Sequence, residues 1–356
     1  MEEKKDTLGM LDLVIRPGFC VKENQIIKVN QAAESLFITP GTDVRPLLLT
    51  GSEEYAAFTG GCLYLTLNLS SHSCGASVTR VDDIDVFLLE QESDNGELRS
   101  MALAARELRE PLTNVMITAD SLFPLCATEE SPRTAEQVAR LNRGLFQILR
   151  IIGNMSDAER CAAVSHQETV DIPALFAEFF EKAETLVSHT GITLTYEGPD
   201  QPIYGLADRE QLERAVLNIL SNAIKFTPKG GTVTAKLTRS GRMLRLSVTD
   251  SGSGIAQSVR SSVFSRYLRQ PALEDSRYGI GLGMVLIRTA AAHHGGAVLI
   301  DQPEGVGTRI TMTMSIRQSK QATLRSNVLR VDYAGERDHA LIELSDVLPA
   351  EFCRDF

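Results

Sequence analysis

The chain has 356 residues and a mass of 39.0 kDa, which suggests two or three domains and rules out a single small module. Its 46 acidic and 36 basic residues give a net charge of −10, which argues against a general nucleic-acid or anionic-membrane binder. No apolar run approaches the roughly 18 residues of a membrane-spanning helix, and the charged first residues lack the apolar core of a signal peptide. We therefore expect a cytoplasmic protein with no membrane span and no nucleic-acid partner.

Six cysteines are scattered along the chain without CxxC spacing. In a reducing compartment, free thiols in or near protein cores are the usual state of such residues. His72 could form half of a metal site with Cys62 and Cys74, but their spacing matches no zinc-binding pattern. We therefore set a cysteine-based metal site aside.

Residues 10–92 are rich in strand-like segments and predict a small α+β module. Short apolar runs at residues 26–29 and 84–89 predict two strands, and the alternating pattern of residues 62–69 predicts a third that is half-buried. Asn30 is placed to cap one or two helical turns that follow the first of these strands.

Two heptad series predict a helical hairpin over residues 95–163, with Pro132 interrupting the pattern between them. The first series is Leu98, Met101, Ala105, Leu108, Leu112, Val115, Ala119 and Leu122, and the second is Val138, Leu141, Leu145, Ile148, Ile152 and Met155. Alternating steps of three and four are typical of a narrow seam that packs against another helix. Because one hairpin buries little surface, we expect two chains to pair into a four-helix bundle. The alternative is two amphipathic helices on a monomeric core.

Residues 167–316 contain a pair of asparagines on a predicted helix. Asn218 and Asn222 are four residues apart and therefore lie on one face, one turn from each other. A carboxamide oxygen is a hard ligand that suits Mg²⁺ bound together with nucleotide phosphates, and Lys225 could reach the same phosphates. Taken alone, the pattern favours two solvated asparagines over a metal-binding pair, although asparagine is a poor helix former.

A glycine turn follows the strand that ends at Asp250. The Asp250 carboxylate could accept a hydrogen bond from an exocyclic amine such as N6 of adenine. Gly252 and Gly254 would let the backbone pass close to a flat base. An ordinary hairpin turn is the alternative, since Asp-x-Gly is common in such turns.

A second glycine-rich segment, Gly279, Gly281 and Gly283, precedes a predicted helix. Its backbone N–H groups and the positive end of the helix dipole would suit a phosphate, and a flexible loop is the alternative. Together with Asp301, two of these glycines mimic a dinucleotide-binding fingerprint. However, no strand precedes them and the third glycine is displaced, so we give that interpretation little weight. The turn at residues 304–309 is interpreted as structural.

In this order, the segments resemble the ATP-binding domain of sensor histidine kinases, a fold shared with gyrase and HSP90-type ATPases. The resemblance covers the N box at residues 218–226, an F box at 264–269, the G1 box at 250–254 and the G2 box at 279–283. It implies that Asn222 coordinates Mg²⁺ with support from Asn218, that Lys225 and Arg269 approach the phosphates, and that Asp250 binds adenine. It also implies that residues 270–278 form a mobile lid. The glycines that it assigns to the nucleotide site are Gly252, Gly254, Gly279, Gly281 and Gly283.

The hairpin is similar to the dimerisation and phosphoacceptor domain of that family, and residues 10–92 are similar to a PAS sensor domain. The family motif Ser-His-Glu-Leu-Arg-Thr-Pro-Leu corresponds to residues 105–112, where Arg106 occupies the position of the phosphoacceptor histidine. The resemblance gives Glu107 a catalytic role together with Asn218 and Lys225. A guanidinium stays protonated and offers no lone pair for attack on the γ-phosphorus, so Arg106 is predicted to be inactive.

Glu110 lies one helical turn after Arg106, and the two are predicted to form an exposed ion pair worth about 0.3–0.5 kcal/mol. The six histidines of the chain all lie outside the bundle position that the acceptor would need. Autophosphorylation on histidine is therefore not expected.

The sequence predicts an α+β multidomain protein with four parts. They are a PAS-like sensor at 10–92, a dimerisation hairpin at 95–163, an α/β-sandwich ATP-binding domain at 167–316 and an extension at 317–356, which suggests a small β-hairpin. The resemblance implies ATP and Mg²⁺ as cofactors, a homodimer, and a response regulator or another signalling protein as partner. Three functions fit: a degenerate sensor kinase that binds ATP, an active kinase whose acceptor lies on a partner, and a non-enzymatic scaffold.

Overall fold

A computed structural model of the chain describes residues 9, 11–69, 72–122, 132–163, 167–255, 263–264, 282–303, 307–317 and 338–353. The helices of these residues are α1 (Gln31–Glu34), α2 (Ser52–Ala56), α3 (Glu92–Leu122), α4 (Pro132–Ala163), α5 (Ile172–Val187), α6 (Arg209–Phe226), α7 (Leu282–His293) and α8 (His339–Glu343). Three short 3₁₀ turns lie at Arg45–Leu47, Ser188–Thr190 and Ala350–Cys353. Within this part of the chain, no helix combines the length and the apolarity needed to cross a bilayer.

The strands are β1 (Gly18–Lys22), β2 (Gln25–Val29), β3 (Cys62–Asn68), β4 (Ser73–Val81), β5 (Ile84–Leu89), β6 (Glu168–Asp171), β7 (Thr193–Glu197), β8 (Tyr204–Ala207), β9 (Thr232–Ser240), β10 (Met243–Asp250), β11 (Val298–Asp301) and β12 (Arg309–Ser315). Ten of them form one sheet in the order β2-β1-β5-β4-β3-β11-β12-β10-β9-β7, and β6 pairs with β8 separately. Its neighbouring strands are antiparallel except for β7 and β9, which are parallel. The sheet of the N-terminal module, β1 to β5, is thus continuous with that of the following α/β region.

The N-terminal module has its own apolar core beneath β1 to β5. The rings of Phe19 and Phe87 stack there with their centroids 4.7 Å apart. Asn30 caps α1 by accepting a hydrogen bond from the Ala33 N–H at 3.0 Å, and its side chain also accepts from the Gly18 N–H. The predicted cap is therefore confirmed, and it ties α1 to β1.

Strand β3 is buried more completely than its alternating pattern predicts. Leu63 and Leu65 face the N-terminal core, as expected, but Cys62 and Tyr64 on the opposite face are also buried. These two side chains belong to the core of the α/β region, because β3 pairs with β11 at the junction of the two units. The prediction of a half-buried strand is wrong for this half of β3, since a second domain covers its other face.

The two heptad series divide into inward and outward positions. Ala105, Leu112 and Ala119 of α3 are buried, and the buried residues of the series on α4 are Val138, Leu145 and Ile152. The alternate heptad positions remain exposed, namely Leu108, Val115, Leu141 and Ile148. One hairpin therefore buries only part of its heptad residues and leaves the others as an apolar stripe on its surface.

The α/β region packs α5, α6 and α7 against its part of the sheet. The core of this region takes Phe176, Phe179 and Phe180 from α5 together with alternate residues of β9, β10 and β12. Since each of these strands presents one apolar face to the helices, the layers follow the predicted sandwich.

The C-terminal extension does not form the predicted second strand. Residues His339–Glu343 form the one-turn helix α8, and the Asp338 side chain caps it by accepting from the Ala340 N–H at 2.8 Å. The first predicted strand, at residues 328–333, lies outside the described residues. This segment forms a helix and not a strand because its apolar side chains are buried between the α/β region and the hairpin, where the described residues provide no strand to pair with it.

Candidate functional site

Helix α6 is anchored at its N-terminus by two polar contacts. The Asp208 side chain accepts a hydrogen bond from the Gln211 N–H, and the Asp208 N–H donates to Nε2 of His294 at 2.9 Å. Nδ1 of His294 donates to the Ala290 carbonyl at 2.7 Å. Burial lowers the pKa of His294, which keeps the imidazole in the neutral form that can donate and accept at once. This imidazole therefore fixes the start of α6 against the end of α7.

The two asparagines of α6 both face α7. Asn218 is buried, and its Nδ2 donates to the Arg214 carbonyl at 2.9 Å. Its Oδ1 lies 2.8 Å from the place where a Cβ on Gly283 would stand, so a larger residue at 283 would push the helices apart. Asn222 is half-buried one turn later, with Nδ2 3.9 Å from the sulfur of Met284.

Asp250 is a buried carboxylate held by backbone groups. Its Oδ1 accepts hydrogen bonds from the Gly252 N–H at 2.8 Å and from the Thr308 N–H at 3.2 Å. Burial raises the pKa of Asp250, and the two hydrogen bonds act in the opposite direction. The side chain is therefore fixed in one orientation at the end of β10.

Three glycines allow the backbone segments around Asp250 to approach closely. A Cβ on Gly252 would collide with the carbonyl of Phe226, the last residue of α6, and one on Gly307 would overlap the Asp250 carbonyl. Gly307 has a φ of 113°, and Gly254 has a φ of 74°, both in the region that favours glycine. These contacts bring the end of the asparagine helix to the Asp250 turn.

The family model described as histidine kinase-, DNA gyrase B-, and HSP90-like ATPase matches residues 207–318. The chain contains an ATPase domain of this family. The match begins just before α6 and includes Asn218, Asn222 and Asp250, the residues that the structure places around α6 and the end of β10.

Relatives extend the similarity beyond the ATPase domain. A sensor-like histidine kinase of Rhizobium meliloti (strain 1021) is 30% identical over 230 residues, which cover 63% of this chain and 44% of that protein. The adaptive-response sensory kinase SasA of Crocosphaera subtropica is 26% identical over 246 residues, which cover 65% of this chain and 64% of that protein. The chain is thus related to sensor histidine kinases, and it spans about half to two thirds of the length of these relatives.

Among solved structures, full-length ShkA in complex with AMPPNP has a TM-score of 0.51 and 24% sequence identity. The alignment covers 62% of this chain and 46% of ShkA. This likeness concerns the fold.

The remaining predicted site residues are distributed as follows. Lys225 is half-buried in the last turn of α6, while Arg106 and Glu107 are exposed on α3. Arg269, Gly279 and Gly281 lie outside the described residues. The structure thus gathers the residues from α6, β10 and the start of α7 in the ATPase domain, and it leaves the hairpin residues on a separate helix surface.

The predicted ion pair between Arg106 and Glu110 is not formed. Both side chains are exposed on α3, and the ion pairs of the described residues do not include this one. The reason is that an exposed pair gains less than about 1 kcal/mol against the entropy of two long side chains.

Three residues of the site region were not assigned from the sequence. Thr308 supplies an N–H to Asp250, Met284 contacts Asn222, and Ser221 accepts a hydrogen bond from Arg150 of α4 at 3.1 Å. The glycine turn at residues 304–309 was a usable signal for Thr308. Neither of the other contacts has a local sequence pattern, because each joins elements far apart in the chain.

Two alternative sites are not supported. In the described part of the chain, no group of three or more His, Cys, Asp or Glu side chains could hold a metal ion. Asp301, which the dinucleotide interpretation requires, is bound by Arg309, whose Nε donates to its Oδ1 at 2.8 Å. Its carboxylate is therefore already used within the sheet.

Proposed function

We propose that this chain is a signalling protein of the sensor kinase type that binds Mg-ATP but does not phosphorylate its own hairpin. The observation that carries the second half of this proposal is Arg106, exposed on α3 where the family motif has its phosphoacceptor histidine. The guanidinium is permanently protonated and cannot act as a nucleophile. The signal would then pass through conformation.

The described residues fit a nucleotide. One oxygen of Asp250 is held by two backbone N–H groups, and the second oxygen would accept the amine of adenine. The Nδ2 atom of Asn222 is directed at Met284, so its carboxamide oxygen is the atom that would coordinate Mg²⁺. Asn218 supports this arrangement from the turn before, and Lys225 would approach the phosphates. The bound metal ion would neutralise phosphate charge.

We expect Mg-ATP to stabilise the wild-type chain and Asn222→Ala to abolish most of that effect. At about 100 times its dissociation constant, a ligand adds about 2.7 kcal/mol, which corresponds to an upward Tm shift of roughly 5–10 °C for an ATP-binding domain of about 150 residues that unfolds as one unit. A thermal-shift titration measures this, with Asn114→Ala, an exposed asparagine on α3, as the control. An unshifted wild-type Tm would favour the non-enzymatic scaffold.

Incubation with γ-labelled ATP should leave the wild-type chain unlabelled. Arg106→His restores a nucleophile at the same exposed position and should introduce an acid-labile label. The double variant Arg106→His with Asn222→Ala should lose it again. An acid-labile label on the wild-type chain would contradict the proposal, and a label on a co-purified partner protein would favour a kinase that acts in trans.

We further propose that the hairpin pairs with a second copy into a four-helix bundle. The support comes from the heptad residues that one hairpin leaves exposed, Leu108, Val115, Leu141 and Ile148. A second copy presents the same stripe, so the two surfaces match by symmetry.

Val115→Glu should convert a dimer into a monomer, because it buries a charge in the proposed seam. Ile117→Glu is the matched control, since Ile117 is exposed on the same helix but lies outside the heptad series. Light scattering should give twice the 39.0 kDa chain mass for the wild type and for the control. Equal masses for both variants would contradict the proposed seam.

The N-terminal module is proposed as a PAS-like sensor, in keeping with its five antiparallel strands and separate core. A cytoplasmic location and a response regulator as partner are proposed from the same resemblance. The proposed domain boundaries remain 10–92, 95–163, 167–316 and 317–356.

A further inference from the structure

Residues 338–353 of the C-terminal extension lie in the cleft between hairpin helix α4 and helix α6 of the ATPase domain. Their apolar side chains divide between the cores of these two units. Those that join the core of the ATPase domain are Ala340, Leu344 and Leu348, and those that join the core of the hairpin are Ile342 and Cys353. The segment therefore packs as a shared layer between the two units.

Glu343 is the polar centre of this layer. It is fully buried, and its two oxygens accept from Nε of Arg150 at 3.1 Å and from Nη2 of Arg214 at 3.1 Å. Arg150 belongs to α4 and Arg214 to α6, so one carboxylate neutralises a cation from each unit. Without that anion the two guanidinium groups would face each other in a desolvated space, which is unfavourable.

The backbone of the segment is held by the hairpin as well. Arg143 donates to the carbonyls of Ser345 at 3.1 Å and Asp346 at 3.0 Å. Asn142 donates to the Cys353 carbonyl at 2.9 Å. Side-chain donors of α4 thus bind the segment between Glu343 and Cys353.

Arg150 of α4 also contacts α6, the helix that carries the proposed nucleotide-binding asparagines. Arg150 pairs with Asp346 and donates to Ser221, the residue before Asn222. A direct apolar contact between the hairpin and α7 also joins the two units, and it involves Met101 and Met155. The extension therefore joins α4 to the ATPase domain through the buried Glu343 carboxylate, beside these direct contacts.

We propose that residues 338–353 are an intramolecular strap that fixes the ATPase domain against α4, and that release of this strap frees the ATPase domain to move relative to the hairpin. The strap requires no bound nucleotide, so it stands apart from the proposed function and can be tested independently of it.

Hydrogen exchange on the full-length chain without nucleotide tests the strap. Glu343→Gln should accelerate amide exchange by about tenfold or more in residues 338–353 and in the parts of α4 and α6 that face them. Exchange in β1 to β5 should stay at the wild-type rate. Asp346→Asn, which removes a partner with 31% of its side chain exposed, should give a smaller increase in the same segments and serves if the first variant fails to fold. Glu351→Gln, an exposed position of the same segment, should leave exchange unchanged.

Two results would overturn the strap. One is wild-type residues 338–353 exchanging as fast as an unstructured peptide. The other is an equal acceleration throughout the chain, including β1 to β5, in the Glu343 and Asp346 variants, because that pattern reports global destabilisation with no separate release.

Discussion

Gly307→Ala should lower the free energy of unfolding by roughly 2–5 kcal/mol. The φ of 113° at this position disfavours any residue with a Cβ, at a cost of about 1–2 kcal/mol. The added methyl would also overlap the Asp250 carbonyl, and relieving such overpacking costs about 1–3 kcal/mol. Because Thr308 is the next residue, the shift would also disturb the hydrogen bond that holds Asp250.

Gly230→Ala separates the cost of the positive φ from the cost of the steric overlap. Gly230 also has a positive φ, of 82°, but a Cβ there would meet no atom within 4 Å. It should therefore lose about 1–2 kcal/mol from backbone strain alone. Urea unfolding curves with equal slopes measure both losses. Equal losses for the two variants would show that the close approach to Asp250 contributes nothing.

Arg288→Met should destabilise the junction between the N-terminal module and the ATPase domain by about 3–5 kcal/mol. Arg288 of α7 is 4% exposed, and its Nη2 lies 2.5 Å from Oε1 of Glu90 at the end of the N-terminal module. Its guanidinium also lies 4.9 Å from the ring centroid of Tyr64, whose hydroxyl donates to Glu90 at 2.9 Å. Methionine preserves volume but leaves the Glu90 carboxylate without this cation.

The control for Arg288 is Arg245→Met, which removes an exposed arginine from β10. We expect that change to stay within about 0.5 kcal/mol of the wild-type value. Denaturant midpoints at equal slope provide the measurement. If both arginine variants lost the same small amount, the junction would be held by the β3–β11 pairing and not by the buried charge.

Local patterns predicted much of the helical structure. Asn30 as a cap, the two heptad helices and the shared face of Asn218 and Asn222 depend on residues within one or two turns of each other. Helix geometry fixes such relations, so spacing alone reveals them. The nucleotide assignments remain predictions for the same reason, because the spacing identifies a face and not what binds to it.

The errors share a different origin. The alternation of β3 correctly indicated a strand, yet Cys62 and Tyr64 are buried because β11, more than 200 residues later, brings a second core to their face. The pattern of residues 339–344 was equally compatible with a strand. The segment forms a helix because of the units against which its side chains pack.

The sequence by itself determined a negatively charged chain with a strand-rich module, a heptad hairpin and an ATPase domain, together with Arg106 where the family resemblance predicts a phosphoacceptor histidine. The tertiary structure alone decided how these parts join. Glu343 meets Arg150 and Arg214 across 193 and 129 residues of sequence, and Arg288 meets Glu90 across the β3–β11 junction. A buried charge is stable only where the fold places an opposite charge beside it. That placement depends on residues far apart in the chain, so no local sequence pattern predicts it.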